Sequence, residues 1–286
     1  MLTRIDAMRT GELPEPDTSS VHQHLQTCKS CDQSTSDLDE LARSIKGLVV
    51  APPRSLRSVM SDHFDVIDTG NEQILVAFSD RGLRMLHLGG SKEKFKKAYA
   101  RRFGRELTPA SLPERLRKQV IAALSGEGVN KPVVDFSETG EFERKVLETL
   151  TRIPAGEVRT YKWVAREAGR PKAIRAVGNI CAHNVVPFVV PCHRVVPAGG
   201  GIGEYAFGSP IKRALLRREG VPVDELDDLA RHRVRFIGSK TTGIYCFPTC
   251  KDARRIREEN RVAFHDEHDA SKKGFRPCTR CHPAAA

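Results

Sequence analysis

The chain has 286 residues, enough for two or three domains that each bury a core. No apolar stretch approaches the roughly 18 residues that span a bilayer, and residues 1–11 lack the apolar centre of a signal peptide, so the cytoplasm is expected. The formal charge of +11, from 47 Lys and Arg against 36 Asp and Glu, suits a partner such as nucleic acid and equally suits a solubilising surface.

Residues 1–55 are polar, with Pro14, Pro16, Ser19 and Ser20, the spacing His24-x3-Cys28-x2-Cys31, and an amphipathic stretch over 38–49. Residues 51–53, Ala-Pro-Pro, mark a linker. Two strand-like runs follow at 74–78 and 82–88, joined by a turn at 79–82. Helices are expected over 92–103 and 113–124, and a short strand over 133–136. Residues 141–153 place Phe142, Val146, Leu147 and Leu150 on one helical stripe. Thr160 is a candidate N-cap, Gly169 a candidate C-cap, and Pro171 suits the first turn of a second helix reaching Ala182. Two short helices about a glycine turn have the form of a helix-turn-helix. An apolar run over 187–196 is interrupted by Cys192-His193-Arg194, and 212–219 reads as a basic helix. Beyond Val221 about 60 charged, cysteine-bearing residues offer little core, so a metal is the expected staple.

Of eight cysteines, Cys28/Cys31 and Cys278/Cys281 form C-x2-C pairs and Cys246/Cys250 a C-x3-C pair, whereas Cys181 and Cys192 stand alone. Close pairs without a signal peptide read as metal ligands before disulfides. A lone cysteine in an apolar run is ordinarily core. Cys192, however, precedes His193 and Arg194, which are costly to bury without partners and which favour a thiolate. A nucleophile results, serving alkyl transfer or, on a Cys-His pair alone, a protease or acyltransferase.

The run Pro191-Cys192-His193-Arg194-Val195-Val196, with Asn184 upstream, Tyr161 and Arg175 on the helix-turn-helix, and Arg218-Glu219-Gly220 downstream, resembles the O6-alkylguanine-DNA alkyltransferases across residues 64–222. The resemblance implies an RNase H-like α/β domain over 63–138 and a winged-helix-like catalytic domain over 139–222. It implies repair of O6-alkylguanine and O4-alkylthymine in double-stranded DNA by irreversible transfer to Cys192. His193 would accept the thiol proton through a water, Glu219 would orient His193, Asn184 would brace the turn, and Tyr161 would donate toward guanine N3. Arg175 would fill the duplex behind a flipped nucleotide, with Lys172, Arg194 and Tyr205 completing the DNA-contacting set. The substrate loop departs from the family: Tyr205 and Phe207 keep an aromatic wall, Ala206 removes a cation, and bulky Phe207 narrows the pocket toward methyl over benzyl groups.

Cys246, Cys250, Cys278 and Cys281 make the donor set of a closed tetrahedral zinc site, whether structural or reactive. Their flanks at 241–250, 257–260 and 274–281 resemble the zinc domain of Ada-type methylation-response proteins. That resemblance implies a small α+β domain over 228–286 in which Cys246 is both ligand and acceptor of methyl from DNA methylphosphotriesters. Arg254, Arg255 and Arg257 would contact phosphates. Four thiolates on zinc(II) carry about −2, so methylating one should strengthen DNA binding. The zinc segment follows the alkyltransferase segment, and no AraC-like reader is seen after it, so activation by the Ada route is not implied.

The His24, Cys28, Cys31 motif resembles the zinc motif of anti-sigma factors, with His22 or Asp6 available as a fourth ligand, or the site vestigial. It implies a small helical module and a sigma-factor or other regulatory partner. The expected whole is a monomeric α/β and α+β multidomain protein using zinc and no organic cofactor. An alkylation-sensing transcription regulator is the alternative to repair.

Overall fold

Residues 15–48 form two helices, α1 (Glu15–Thr27) and α2 (Lys29–Leu48), that meet at Cys28. The computed structural model describes residues 15–48, 62–70, 72–126 and 131–283, in two compact units divided between Val59 and Met60. The expected linker at 51–53, and Asp6, lie outside the described residues.

In the second unit, strands β1 (Asp62–Asp68), β2 (Gln73–Ser79) and β3 (Gly82–Leu88) run antiparallel. Helix α3 (Lys92–Phe103) leads to β4 (Leu107–Pro109), which joins β1 in parallel to give the order β3-β2-β1-β4. The unbroken apolar run of β2 is explained by burial of both faces. Ile74, Val76 and Phe78 enter one core, whereas Leu75 and Ala77 enter another closed by Phe95 and Tyr99 of α3. Ser91 caps α3 by accepting from Lys94 N, and Gly104 ends it at φ 65°.

Sequence reading found β2 and β3 but not β1, whose seven residues include Asp62, His63, Asp65 and Asp68. Tertiary partners make that strand tolerable. Asp62 is buried against Arg84 at 2.8 Å and accepts from the Tyr99 hydroxyl. The short strand expected over 133–136 is only a bridge from Val134 to Leu83. Gly82 is required beside it, since a Cβ there would lie 2.4 Å from Val133 O. Helix α4 (Glu114–Ser125) ends at Gly126.

Helix α5 (Glu141–Thr151) buries Val146, Leu147 and Leu150 as its stripe predicts. Strand β5 (Arg159–Thr160) runs directly into α6 (Tyr161–Glu167), where Thr160 Oγ1 accepts from Trp163 N at 3.1 Å. Helix α7 (Ile174–Ala182) begins later than expected. Ala173 N donates to Arg170 O, so Pro171 occupies a turn whose geometry its fixed φ suits. Strand β6 (Val195–Val196) pairs with β5 in parallel, followed by α8 (Ser209–Arg218) and α9 (Val223–Arg231).

The last segment builds a sheet of β7 (Phe236–Ser239), β8 (Ile244–Cys246), β9 (Arg261–Phe264) and β10 (Arg276–Pro277), in the order β10-β8-β7-β9, with α10 (Glu267–Lys272) between β9 and β10. Phe236, Tyr245, Phe247, Phe264 and Phe275 form its aromatic core. One apolar cluster runs from β2 through Leu150, Trp163 and Cys192 to Tyr245 and Phe264.

Arg84 also pairs with Glu138 at 2.8 Å and Asp135 at 3.8 Å, so one buried guanidinium serves three carboxylates. Removing it strands Asp62 in the core. Arg84→Met should therefore lower stability by about 3–5 kcal/mol, read as the urea midpoint of the second unit. Arg102→Ala, which breaks the solvent-facing Arg102–Glu143 pair, should cost less than about 1 kcal/mol. Equal losses in the two variants would show that the buried network is not what supports this sheet.

Candidate active site and metal centre

The apolar run around Cys192 is not the continuous strand its composition suggests. Phe188 adopts a left-handed φ of 70°, where a bulky side chain is strained. The chain then bends through Pro187 and Val190, which bridge one another, into a single 3-10 turn, Cys192–Arg194. Asn184 holds this bend from within. Its Nδ2 donates to Val190 O at 2.9 Å and to Cys192 Sγ at 3.2 Å, while its Oδ1 accepts from Val186 N.

The turn buries Cys192, His193 and Arg194 together. His193 Nε2 lies 2.8 Å from Glu219 Oε1. A carboxylate only accepts, so Nε2 carries the proton and the lone pair is on Nδ1, which has no protein partner. Burial pulls the imidazole pKa down and outweighs Glu219, so His193 is neutral and able to take a proton. Burial works against the charge on Glu219 as well, but hydrogen bonds from His193 and Arg194 prevail and bring its pKa down to about 2.

Arg194 was expected among the DNA contacts, and the structure corrects this. Its Nε and Nη2 donate to the two oxygens of Glu219 at 2.8 Å each, and Nη1 donates to Ile153 O at 2.6 Å. At 8 % exposure it is a buried brace, committed on all its nitrogens. Lys172 and Arg175, in contrast, are exposed at the turn and first residues of α7.

Burial raises the Cys192 thiol pKa, against the opposing pull of Asn184, Tyr205 and Lys212. The resting group is a thiol, and nucleophilicity requires a base. Its S–H faces the Tyr205 hydroxyl at 4.0 Å. Tyr205, Phe207 and Phe188 stack in sequence with ring centroids 5.4 and 5.8 Å apart, making one wall. Tyr161, raised to about 12 by burial and by the Cys181 and Cys192 thiols, stays protonated and able to donate.

One residue of this centre escaped sequence reading. Lys212, read only as part of a basic helix, is fully buried and donates to Val195 O at 2.6 Å and Glu204 O at 3.2 Å. Burial lowers its pKa to about 8, while Cys192 and Cys181 pull the other way. It thereby links the strand after the cysteine turn to the loop carrying Tyr205. Its signal was positional: Lys212 lies four residues before buried Leu216, on the inward stripe of α8.

The second cysteine set also comes together. Ligand sulfurs of Cys246, Cys250, Cys278 and Cys281 lie within 4.8 Å of one another, all four buried. Cys246 ends β8 and Cys278 follows β10, whose pairing brings the two half-sites together, and Cys278 N donates to Tyr245 O. So crowded a set cannot ionise fully without a cation: neighbouring sulfurs push Cys246 up while their hydrogen bonds hold Cys250 down. The donor set and closed burial fit zinc(II). Arg254, Arg255 and Arg257 are exposed beside it. In the first unit, His24, Cys28 and Cys31 also lie within 4.8 Å, and His24 Nε2 is buried without a partner. His22 instead faces Thr18 O of its own helix.

Comparisons with known proteins cover these two centres. The family model described as the DNA-binding domain of 6-O-methylguanine DNA methyltransferase matches residues 141–221, and the metal-binding domain of Ada matches 227–284. A methylated-DNA–protein-cysteine methyltransferase of Methanosarcina acetivorans is 33% identical over 162 residues, 55% of this chain and 98% of that protein. The bifunctional transcriptional activator/DNA repair enzyme Ada of Escherichia coli is 35% identical over 148 residues, 51% of this chain and 42% of that protein. Among solved structures, Mycobacterium tuberculosis OGT in complex with DNA is 30% identical, covering 59% of this chain and 98% of that one with a TM-score of 0.44. The chain belongs to the methylated-DNA–protein-cysteine methyltransferase family and carries an Ada-type zinc-binding domain.

Proposed function

We propose that this protein repairs DNA by moving an alkyl group from guanine O6, or thymine O4, irreversibly onto Cys192. The supporting observation is the contact chain from Asn184 to Cys192 and from His193 to Glu219, in a chain of this family. The substrate is duplex DNA with the damaged nucleotide flipped, since the reacting carbon is otherwise stacked within the helix. Exposed Lys172 and Arg175 supply phosphate contact and duplex filling.

The thiol proton passes through a water to His193 Nδ1, and Glu219 stabilises the imidazolium through Nε2–H. Cys192 Sγ then attacks the alkyl carbon in line with its bond to O6. The S–C bond forms as C–O breaks, and the electron pair leaves on the purine. Tyr161 gives N3 a proton, which His193 afterwards replaces by way of solvent. The product thioether has no leaving group that water displaces readily, so each molecule acts once. Phe207 in the wall favours methyl over benzyl.

Residues 63–138 are read as the RNase H-like domain, 139–222 as the winged-helix-like catalytic domain, and 228–286 as the zinc domain. In the last, Cys246 is proposed as a second acceptor, for methylphosphotriesters of the backbone. Bound zinc would hold the four sulfurs as thiolates at neutral pH. Cys246 Sγ would form a bond to the methyl carbon as the phosphate oxygen departs with its electron pair, leaving an ordinary diester. The site loses one negative charge, and Arg254, Arg255 and Arg257 then bind phosphate against less repulsion. Residues 1–55 are read as a second zinc module contacting a sigma factor or other regulator, the one observation in its favour being the His24, Cys28, Cys31 cluster.

Incubation with DNA bearing both lesions, followed by digestion and mass spectrometry, should find S-methylcysteine at Cys192 and Cys246. Cys192→Ala should lose only the first. Methyl at neither position would overturn the repair reading.

Glu219 supplies a pH signature. Its pKa falls from an ordinary 4.5 to about 2 on folding, so its stabilisation is complete above about 4.5 and is lost as pH falls through about 2. That component amounts to about 3 kcal/mol. Glu219→Gln should remove this acid dependence and slow methyl transfer roughly a hundredfold, and an unchanged pH–stability curve would argue against the pairing.

Native mass spectrometry should count two zinc ions per chain, falling to one in Cys28→Ser. A wild-type count of one would confine the metal to the C-terminal set.

A further inference from the structure

The loop between the first two zinc ligands does more than close the metal site. Thr249, between Cys246 and Cys250, is fully buried, and its Oγ1 accepts from Val158 N at 2.9 Å. The next amide but one, Lys251 N, donates to Glu157 Oε1 at 3.2 Å, and the other oxygen of Glu157 accepts from Arg159 Nη2 at 2.5 Å. Glu157 and Arg159 are both buried, and the Arg159 guanidinium lies over the rings of Phe247 and Trp163. The zinc segment thus holds residues 157–159 through the Thr249 hydroxyl, the Lys251 amide and the Phe247 ring.

Those three residues lead straight into the alkyl-transfer centre. Arg159 and Thr160 are β5, paired with Val195 and Val196 immediately after the Cys192 turn. Thr160 caps α6, and the first residue of α6 is Tyr161. The other half of the zinc set grips the far end of the same helix. His282, next to Cys281, adopts a left-handed φ of 45°, and its carbonyl accepts from Arg166 Nη2 at 2.5 Å. The loop of one cysteine pair therefore holds the residues that lead into α6, and the residue after the other pair bonds Arg166 near the end of that helix. The metal site joins the two loops, beside the short β8–β10 pairing and the Cys278 N to Tyr245 O bond.

We propose that the four-cysteine site is a clamp on α6, with Thr249 and Arg166 as positioning residues that hold Tyr161 opposite Cys192. Zinc occupancy, and by extension the chemical state of Cys246, then sets the reactivity of the first acceptor. This rests on Cys192 being the alkyl acceptor and on zinc filling the C-terminal set. The coupling works through geometry: releasing either loop frees one end of a seven-residue helix that has few bonds of its own.

The test uses full-length Thr249→Val, which keeps the side-chain shape and removes the hydroxyl, with Thr249→Ser as the restoring variant. Zinc content, amide exchange over residues 158–167 without DNA, and single-turnover methyl transfer from O6-methylguanine duplex are measured. Thr249→Val should retain its C-terminal zinc, exchange about tenfold faster and transfer about tenfold more slowly, with duplex affinity unchanged. Thr249→Ser should return both rates to wild type. Chelation of zinc from the wild-type protein should produce the same pair of changes without any substitution. Wild-type exchange over 158–167 in the zinc-stripped protein, or transfer within twofold of the zinc-loaded rate, would overturn the clamp. Because exchange is measured without DNA, a wild-type protein that never methylates Cys192 would refute the alkyl-transfer reading and leave the exchange result to decide the clamp's structural half.

Discussion

Everything at the Cys192 centre depends on one carboxylate with no unused face. Glu219, just beyond α8, accepts from His193 and Arg194 on Oε1 and from Arg194 again on Oε2. A buried charge is tolerable only with such complete pairing. The pairing also fixes the tautomer of His193 and welds the cysteine turn to α8. Arg194 extends the weld to Ile153 O at the end of α5. The chemistry and the local fold therefore share the same three side chains.

Burial is the common condition of both cysteine centres, and each meets it differently. Cys192 is 4 % exposed, and its thiol is kept protonated by an apolar setting. A thiol in that state becomes a nucleophile only when a base takes its proton. At the C-terminal set, four sulfurs crowd into a closed space, and a divalent cation makes their charge bearable. One site waits for proton removal; the other carries its charge permanently. The apolar cluster continuous between them makes them parts of one folded unit.

Much of this was legible in the chain itself. The β2 run, the stripe of α5, the Thr160 cap and the cysteine spacings are local, and each depends on side chains within one or two turns of one another. Strand β1 was not legible, because its aspartates become acceptable only against Arg84, Tyr99 and Arg117 from distant parts of the chain. The role of Lys212 was hidden for the same reason: the carbonyls that receive its ammonium come from a strand and a loop, not from its helix. Arg194 was placed among the DNA contacts by family resemblance, and only folding showed how Glu219 and Ile153 consume its donors.

The sequence by itself determined the reactive residue types, the metal-ligand spacings and the family, because these rest on residue identity and short-range periodicity. Tertiary structure alone decided which charges are neutralised, that Arg194 braces where it was expected to touch DNA, and that the zinc segment bonds Val158, just before α6, and Arg166, near its end. Such outcomes depend on groups up to 116 residues apart, as in the Arg166–His282 bond, and long-range pairing of this kind leaves no periodic trace in the chain.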